Sequence, residues 1–283
     1  MIGSKRISCV WNLWLISFPA LLSSFTPIAT KARWAVLFAV PKVEIVTEMP
    51  EPLPSNLKNH YYLLRHGQST ANVAGIISSA RTLAYSEKHG LTELGYAQGK
   101  SSSHQLISLV REQSKPGEKV VFVSSPFARA HQTAQACLDG LEECMDELHE
   151  MGLEVSRDIQ LDDRLMERYF GRLDNEAIYT YAYVWPVDRY NVTHTAFDVE
   201  SVAAVATRLR RVVEDQESRF ENTHIVWTSH ADVLQIAQMY AADYENVGSF
   251  SSFRFSNGEV RAMKQTKESL SEPVPLQPLD RTI

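Results

Sequence analysis

Three short polar clusters stand at the ends of apolar runs: Arg65-His66-Gly67, Ser124-Ser125-Pro126-Phe127-Ala128-Arg129 and Ser229-His230. Two arginines and two histidines placed this way suit a dianion. A phosphoryl group in transfer needs its equatorial oxygens neutralised and its attacking and leaving atoms held in line. Arginine's planar fork binds phosphate bidentately, so Arg65 and Arg129 are the expected clamps. Neutral imidazole attacks phosphorus near pH 7 if its other ring nitrogen carries the proton and is tied to an acceptor. His66 is placed for that attack, and Gly67 lets the backbone come close to the ligand or adopt a conformation closed to other residues. His230, kept protonated by the phosphate, would stabilise the transition state. The leaving alkoxide then needs a proton, which a carboxylic acid with a burial-raised pKa can supply. Glu167, in Leu165-Met-Glu-Arg-Tyr-Phe-Gly171, is the expected donor. Asp232 is the rival acid, although it also suits capping of a following helix. A lone histidine is ordinarily a core residue, but the company of His66 reverses that default.

The elements that must carry these residues alternate. Tyr61 to Leu64, Val120 to Val123 and Ile225 to Thr228 read as buried strands, too short for helices and rich in β-branched and aromatic residues. Helices are expected at Thr92 to Arg111, Phe127 to Leu148, Val199 to Glu217 and Asp232 to Ala242, where apolar residues recur three and four apart. The alternation predicts an α/β fold with an open, mostly parallel sheet between helices. Ligands bind beyond the carboxyl ends of such strands, where the three clusters converge.

Composition is that of a globular chain: 283 residues, 44% hydrophobic and 22% charged. Net charge is −6, and −10 beyond residue 33, which argues against a nucleic-acid partner. Three cysteines without ligand spacing offer neither a disulfide framework nor a zinc site, and Cys137 and Cys144 read as buried or partly buried thiols on one helix face. The other histidines show no metal-ligand pattern, and neither a metal nor an organic cofactor is called for. Residues 1–33 read as a targeting leader, with basic Lys5 and Arg6 before an apolar run from Cys9 to Leu22. That points to an organelle or the secretory pathway, with a transient membrane or translocon contact; a membrane-associated or cytoplasmic chain is the alternative. A proline-rich linker is expected over 34–58, a catalytic domain over 59–262 and a loosely packed tail over 263–283.

Five ordered blocks between about residues 60 and 240 resemble the histidine phosphatase superfamily, in its phosphoglycerate-mutase-like branch. They are Leu63 to Asn72, Leu91-Thr-Glu-Leu-Gly95 with Gln98, Ser124 to Ala134, Leu165 to Gly171, and Ser229-His-Ala-Asp-Val-Leu-Gln235. The leader similarly resembles bipartite plastid leaders. The family resemblance implies a three-layer α/β/α sandwich, a phosphohistidine on His66, a pocket of Arg65, Arg129 and His230 with Asn72 nearby, Glu167 as proton donor, and no metal. Two departures stand out. Ala231 replaces the family's glycine, removing backbone freedom after His230, and Gln68 replaces a frequent glutamate at the pocket rim. Arg168 reads equally as a substrate contact or a surface ion pair. From Arg172 to Phe197 the only cations are Arg172 and Arg189, among Tyr179, Tyr181, Tyr183, Trp185 and Tyr190. A mutase needs further cations for a second anionic group, so hydrolysis of a small phosphomonoester is favoured over transfer between hydroxyls. A non-catalytic phosphate-binding member is the third reading.

Overall fold

The computed structural model describes residues 48–275. The leader expected over 1–33, the start of the linker and the end of the tail lie outside them. Five strands form one mixed sheet in the order β3-β2-β4-β1-β5: β1 (His60–Arg65), β2 (Lys119–Ser124), β3 (Glu154–Leu161), β4 (Thr223–Ser229) and β5 (Val260–Ala262). All neighbouring pairs are parallel except β1 with β5. The helices are α1 (Thr70–Ala74), α2 (Glu93–Arg111), α3 (Ala128–Glu142), α4 (Met145–Glu150), α5 (Trp185–Asp188), α6 (Val202–Arg219) and α7 (Ala231–Ala241).

Alternation along each central strand divides the core into two layers. Tyr61, Leu63, Val121, Val123, Ile225 and Trp227 face α6 and α7, while Tyr62, Leu64, Val120, Phe122 and Val226 face α2, α3 and α4. Burial on both faces explains why these strands read as continuous apolar runs. On α6, Val202, Val205, Ala206, Leu209, Val212 and Val213 make one buried stripe at helical spacing. Each of these valines and Leu209 stabilises the fold by about 1.5–3 kcal/mol relative to exposure. The expected three-layer α/β/α sandwich is the observed one.

The differences are local. The helix expected from Phe127 to Leu148 is two helices, because Cys144 leaves helical geometry at φ −114° and ψ 22°. Cys137 is buried on the first helix and Cys144 half-buried at the break, both as free thiols. The helix expected from Val199 starts at Val202, where the Ser201 hydroxyl accepts the Ala204 N–H as an N-cap. Strand β3 escapes the apolar pattern because it is an edge strand with no fully buried residue. Part of the expected linker is packed: Leu53 is buried in the core, and Met49 and Leu57 rest against it. Arg210 and Tyr240 donate to the Glu51 carbonyl. On the tail side, Met263 is core, its N–H bonded to the Tyr61 carbonyl at 2.9 Å. Among the described residues no helix is long and apolar enough to cross a membrane.

Candidate active site

The carboxyl ends of β1, β2 and β4 are stitched together by the main chain. His66 N donates to Ser229 O at 3.0 Å and Ser125 N to Thr228 O at 2.9 Å. The three polar clusters therefore meet at one edge, beside a cavity of about 560 Å³.

His66 is buried, and its Nδ1 lies 2.7 Å from the carbonyl of Gly67. A carbonyl only accepts, so Nδ1 carries the proton and the neutral ring presents a lone pair at Nε2. Arg129 Nε donates to that Nε2 at 3.3 Å. Burial, and then Arg129 and Arg65, hold the His66 pKa well below its ordinary value, so the nucleophilic form prevails at neutral pH. The Gly67 backbone is fixed from α3, where Thr133 Oγ1 accepts Gly67 N–H at 2.9 Å.

Arg129, in the first turn of α3, stands over the Phe127 ring at 4.8 Å and donates to Ser78 O at 2.8 Å and Ser78 Oγ at 3.3 Å. Arg65 donates through Nη1 to Phe255 O at 2.6 Å, and its buried Nε has no hydrogen-bond partner among the described residues. Both guanidiniums line the cavity with His66.

His230 is fully buried behind that lining, its ring centroid 5.2 Å from that of His66. Ser125 Oγ accepts the Phe127 N–H at 3.4 Å, so its own proton is available to His230 Nε2 at 2.9 Å. His230 Nδ1 has no hydrogen-bond partner among the described residues and lies 3.9 Å from Glu167 Oε2. Burial, then Arg129 and His66, depress the His230 pKa well below normal.

Two carboxyls line the same cavity. Glu167 Oε1 accepts the Arg168 N–H at 2.9 Å, and burial raises its pKa against the pull of Arg129. Asp232 does not cap α7; its Oδ2 accepts from Trp185 Nε1 at 3.2 Å and lies 3.6 Å from Arg168 Nη1. Burial raises Asp232 as well, opposed by Arg168. A neutral imidazole with a fixed tautomer, two cations and a buried carboxyl whose pKa is raised surround one cavity, a set chemically suited to a phosphoryl group.

Residues 61–271 match the histidine phosphatase superfamily (branch 1). The chain belongs to that superfamily. As a member it is an enzyme of the phosphatase type. Comparison with curated proteins gives no match. Among solved structures the chain is similar to a mycobacterial glucosyl-3-phosphoglycerate phosphatase in complex with VO3, at 19% identity, 74% of this chain, 99% of that chain and TM-score 0.53. It is similar to a putative alpha-ribazole-5'-P phosphatase from Escherichia coli at 19% identity, 76% and 95% coverage and TM-score 0.50. It is also similar to a mutant phosphoserine phosphatase from Entamoeba histolytica in complex with phosphoserine, at 18% identity, 71% and 88% coverage and TM-score 0.50. At such identities the likeness concerns the fold.

In this histidine phosphatase, Arg65, His66, Asn72, Arg129 and Glu167 line the cavity, with His230 directly behind. Asn72 is exposed at the rim, and its Oδ1 accepts the Ser69 N–H at 3.0 Å in a reciprocal cap of α1. Three expected pocket residues do something else. Gly67 is required by packing: a Cβ there would meet Gly95 O at 2.2 Å, and a Cβ on Gly95 would meet Gln68 O at 2.1 Å. Gln68 turns away from the cavity, its Oε1 accepting the Thr92 hydroxyl at 2.9 Å at the start of α2. Arg168 is neither a substrate contact nor a surface charge. It is fully buried, bonded twice to Asp188 at 2.8 Å and through Nε to Glu200 O at 2.7 Å. Ala231 begins α7 and does not have the positive φ that would call for glycine.

Sequence reasoning missed the support beneath the superfamily's shared residues. Ser78, which braces Arg129, lies in a loop without a motif, where Ser79 and Ala80 are tied to Asp174. The loop before β5 holds the first cluster: Asn257 Nδ2 donates to His66 O at 2.9 Å, and Gly258 N to Arg65 O at 3.1 Å. Tyr179, Tyr181 and Trp185 line the cavity, with Tyr181 and Trp185 stacked at 4.4 Å.

Proposed function

We propose that the protein hydrolyses a small phosphomonoester through a phosphohistidine on His66, with Glu167 as proton donor and no metal in the reaction. The observation that carries this reading is the His66 tautomer: Nδ1–H is committed to Gly67 O, and the Nε2 lone pair is held beside Arg129. Arg65 and Arg129 would neutralise the phosphoryl oxygens, the task a metal performs in other phosphoryl-transfer enzymes. Nε2 attacks phosphorus as the P–O bond to the alcohol breaks, and Glu167 gives its proton to the departing oxygen. The resulting carboxylate takes a proton from water, whose oxygen attacks the phosphohistidine, releasing inorganic phosphate and restoring His66 and Glu167. The dianion would raise the His230 pKa, and Nδ1–H would hydrogen-bond a phosphoryl oxygen.

Glu167 suits the donor role better than Asp232, whose Oδ2 is held between Trp185 and Arg168. Hydrolysis is favoured over mutase chemistry because neither Arg172 nor Arg189 lines the cavity, which leaves Arg254 as the single lining cation beyond the clamp among the described residues; Arg172 pairs with Asp198 at 3.0 Å. Phosphate release from a panel of phosphomonoesters, with and without chelator, is the test. Release with an acid-labile phosphoprotein, lost in His66→Ala, is expected. Chelator-sensitive activity that persists in His66→Ala would sink the proposal. Isomerisation of 3-phosphoglycerate with a bisphosphoglycerate primer would instead support a mutase.

A further inference from the structure

Away from the clamp, the cavity wall contains Gln235, Ser251, Arg254 and Phe255. None of these belongs to the nucleophile, its clamp or the proton donor. Ser251 is 1% exposed, and its buried Oγ has no hydrogen-bond partner among the described residues. Such a group costs free energy unless something pairs with it. Three residues on, Arg254 is exposed at the cavity, its Nε donating to Ser251 O at 3.3 Å, with no carboxylate within ion-pair distance among the described residues. Gln235, on α7, is 3% exposed and brings an amide to the same wall.

We infer that Gln235, Ser251 and Arg254 form a second subsite that binds a carboxylate on the alcohol part of the substrate, which makes the substrates phosphorylated carboxylic acids. A guanidinium fork, a hydroxyl and a primary amide together supply donors to an accepting oxygen pair, and Arg254 supplies one positive charge for one negative. A second phosphate would bring two negative charges against the single charge of Arg254, with Arg65 and Arg129 engaged at the clamp. The same loop would serve both ends of such a substrate, because Phe255 O fixes Arg65 while Ser251 and Arg254 line the cavity wall.

The inference rests on the phosphate being held at Arg65 and Arg129, so its test is kept apart from turnover. Binding to the His66→Ala protein is measured by calorimetry for two matched pairs: 3-phosphoglycerate against glycerol 3-phosphate, and 4-carboxyphenyl phosphate against phenyl phosphate. The acid of at least one pair should bind at least about tenfold more tightly than its partner. Arg254→Met should bring that ratio to within about twofold of unity, Arg254→Lys should restore part of it, and Ser251→Ala should reduce it a few-fold. Equal affinities within both pairs, or a ratio untouched by Arg254→Met, would overturn the subsite and leave the phosphatase reading standing. Failure of all four compounds to bind would overturn the phosphate site and this subsite with it.

Discussion

Arg129 and Arg168 are both buried cations, and the fold treats them in opposite ways. Arg168 has a carboxylate matched to its fork: Asp188 takes both terminal nitrogens at 2.8 Å, and also the His194 Nε2 proton at 2.8 Å. Among the described residues Arg129 has no carboxylate in such contact; its donors end on Ser78 and on a histidine lone pair. Around Arg129 other groups are left short as well, with Arg65 Nε and His230 Nδ1 unpaired among the described residues. A buried charge whose partners are complete shapes the protein, whereas a cluster of incomplete ones on a cavity is arranged for a ligand. Chain position does not separate the two kinds, since Glu167 and Arg168 are adjacent.

Substitutions on the two sides should therefore fail differently. The largest effect is expected for His66→Ala, a fall of about 10⁴-fold or more in phosphate release with no loss of thermal stability. Arg168→Met strands Asp188 and should cost about 3–5 kcal/mol in chemical denaturation. Its affinity for inorganic phosphate should be preserved; loss of phosphate binding in a folded Arg168→Met protein would erase the contrast.

Glu167→Gln should lower kcat by about 100-fold. The folded Glu167 pKa lies above its ordinary value, so between the two the native state holds a proton that the unfolded chain has lost. Stability from this group falls as pH rises through that window, and the glutamine protein should melt at a higher temperature at pH 8. A lower melting temperature would mean that the carboxylate's attraction to Arg129 outweighs its burial.

The histidines act with the other sign. The folded pKa values of His66 and His230 lie below the unfolded value near 6.5, so the unfolded chain takes up protons first. Their contribution is complete above pH 6.5 and is lost as pH falls toward the folded values. Denaturant midpoints measured from pH 8 to 5 should decline below 6.5, and less so in His66→Ala. The smallest effect is expected for Ala231→Gly: activity within about twofold, and stability lower by about 0.5–1 kcal/mol because glycine weakens a helix. A large gain in activity would show that the methyl at Ala231 obstructs the cavity.

The residues at and beside the cavity were legible where function and fold coincide. Arg65, His66, Arg129 and, next to the lining, His230 stand at the ends of strands or the starts of helices, which apolar runs reveal. Glu167 was legible from its block, but the direction of its neighbour was not. Outside regular structure, nothing in the order Met166-Glu-Arg-Tyr169 says which side chain faces the cavity, and Asp188 carries no signal that it awaits a guanidinium. The supports Ser78, Phe255 and Asn257 act largely through main-chain carbonyls or single polar contacts, for which many residue types serve. Strand β3 was hidden because an exposed edge tolerates charge, and Leu53 because its proline-rich surroundings suggested a segment with no core to join.

The mesh of Gly67 against Gly95 reaches further than local fit. The carbonyl that decides where the imidazole of His66 keeps its hydrogen belongs to one of these two glycines, and the other lies in the opening turn of a helix that never enters the cavity. A single methyl added to that helix at Gly95 would push on the strand-end loop and so disturb the nucleophile's lone pair from outside. Inactivating changes in this protein need not fall on any residue that meets the substrate.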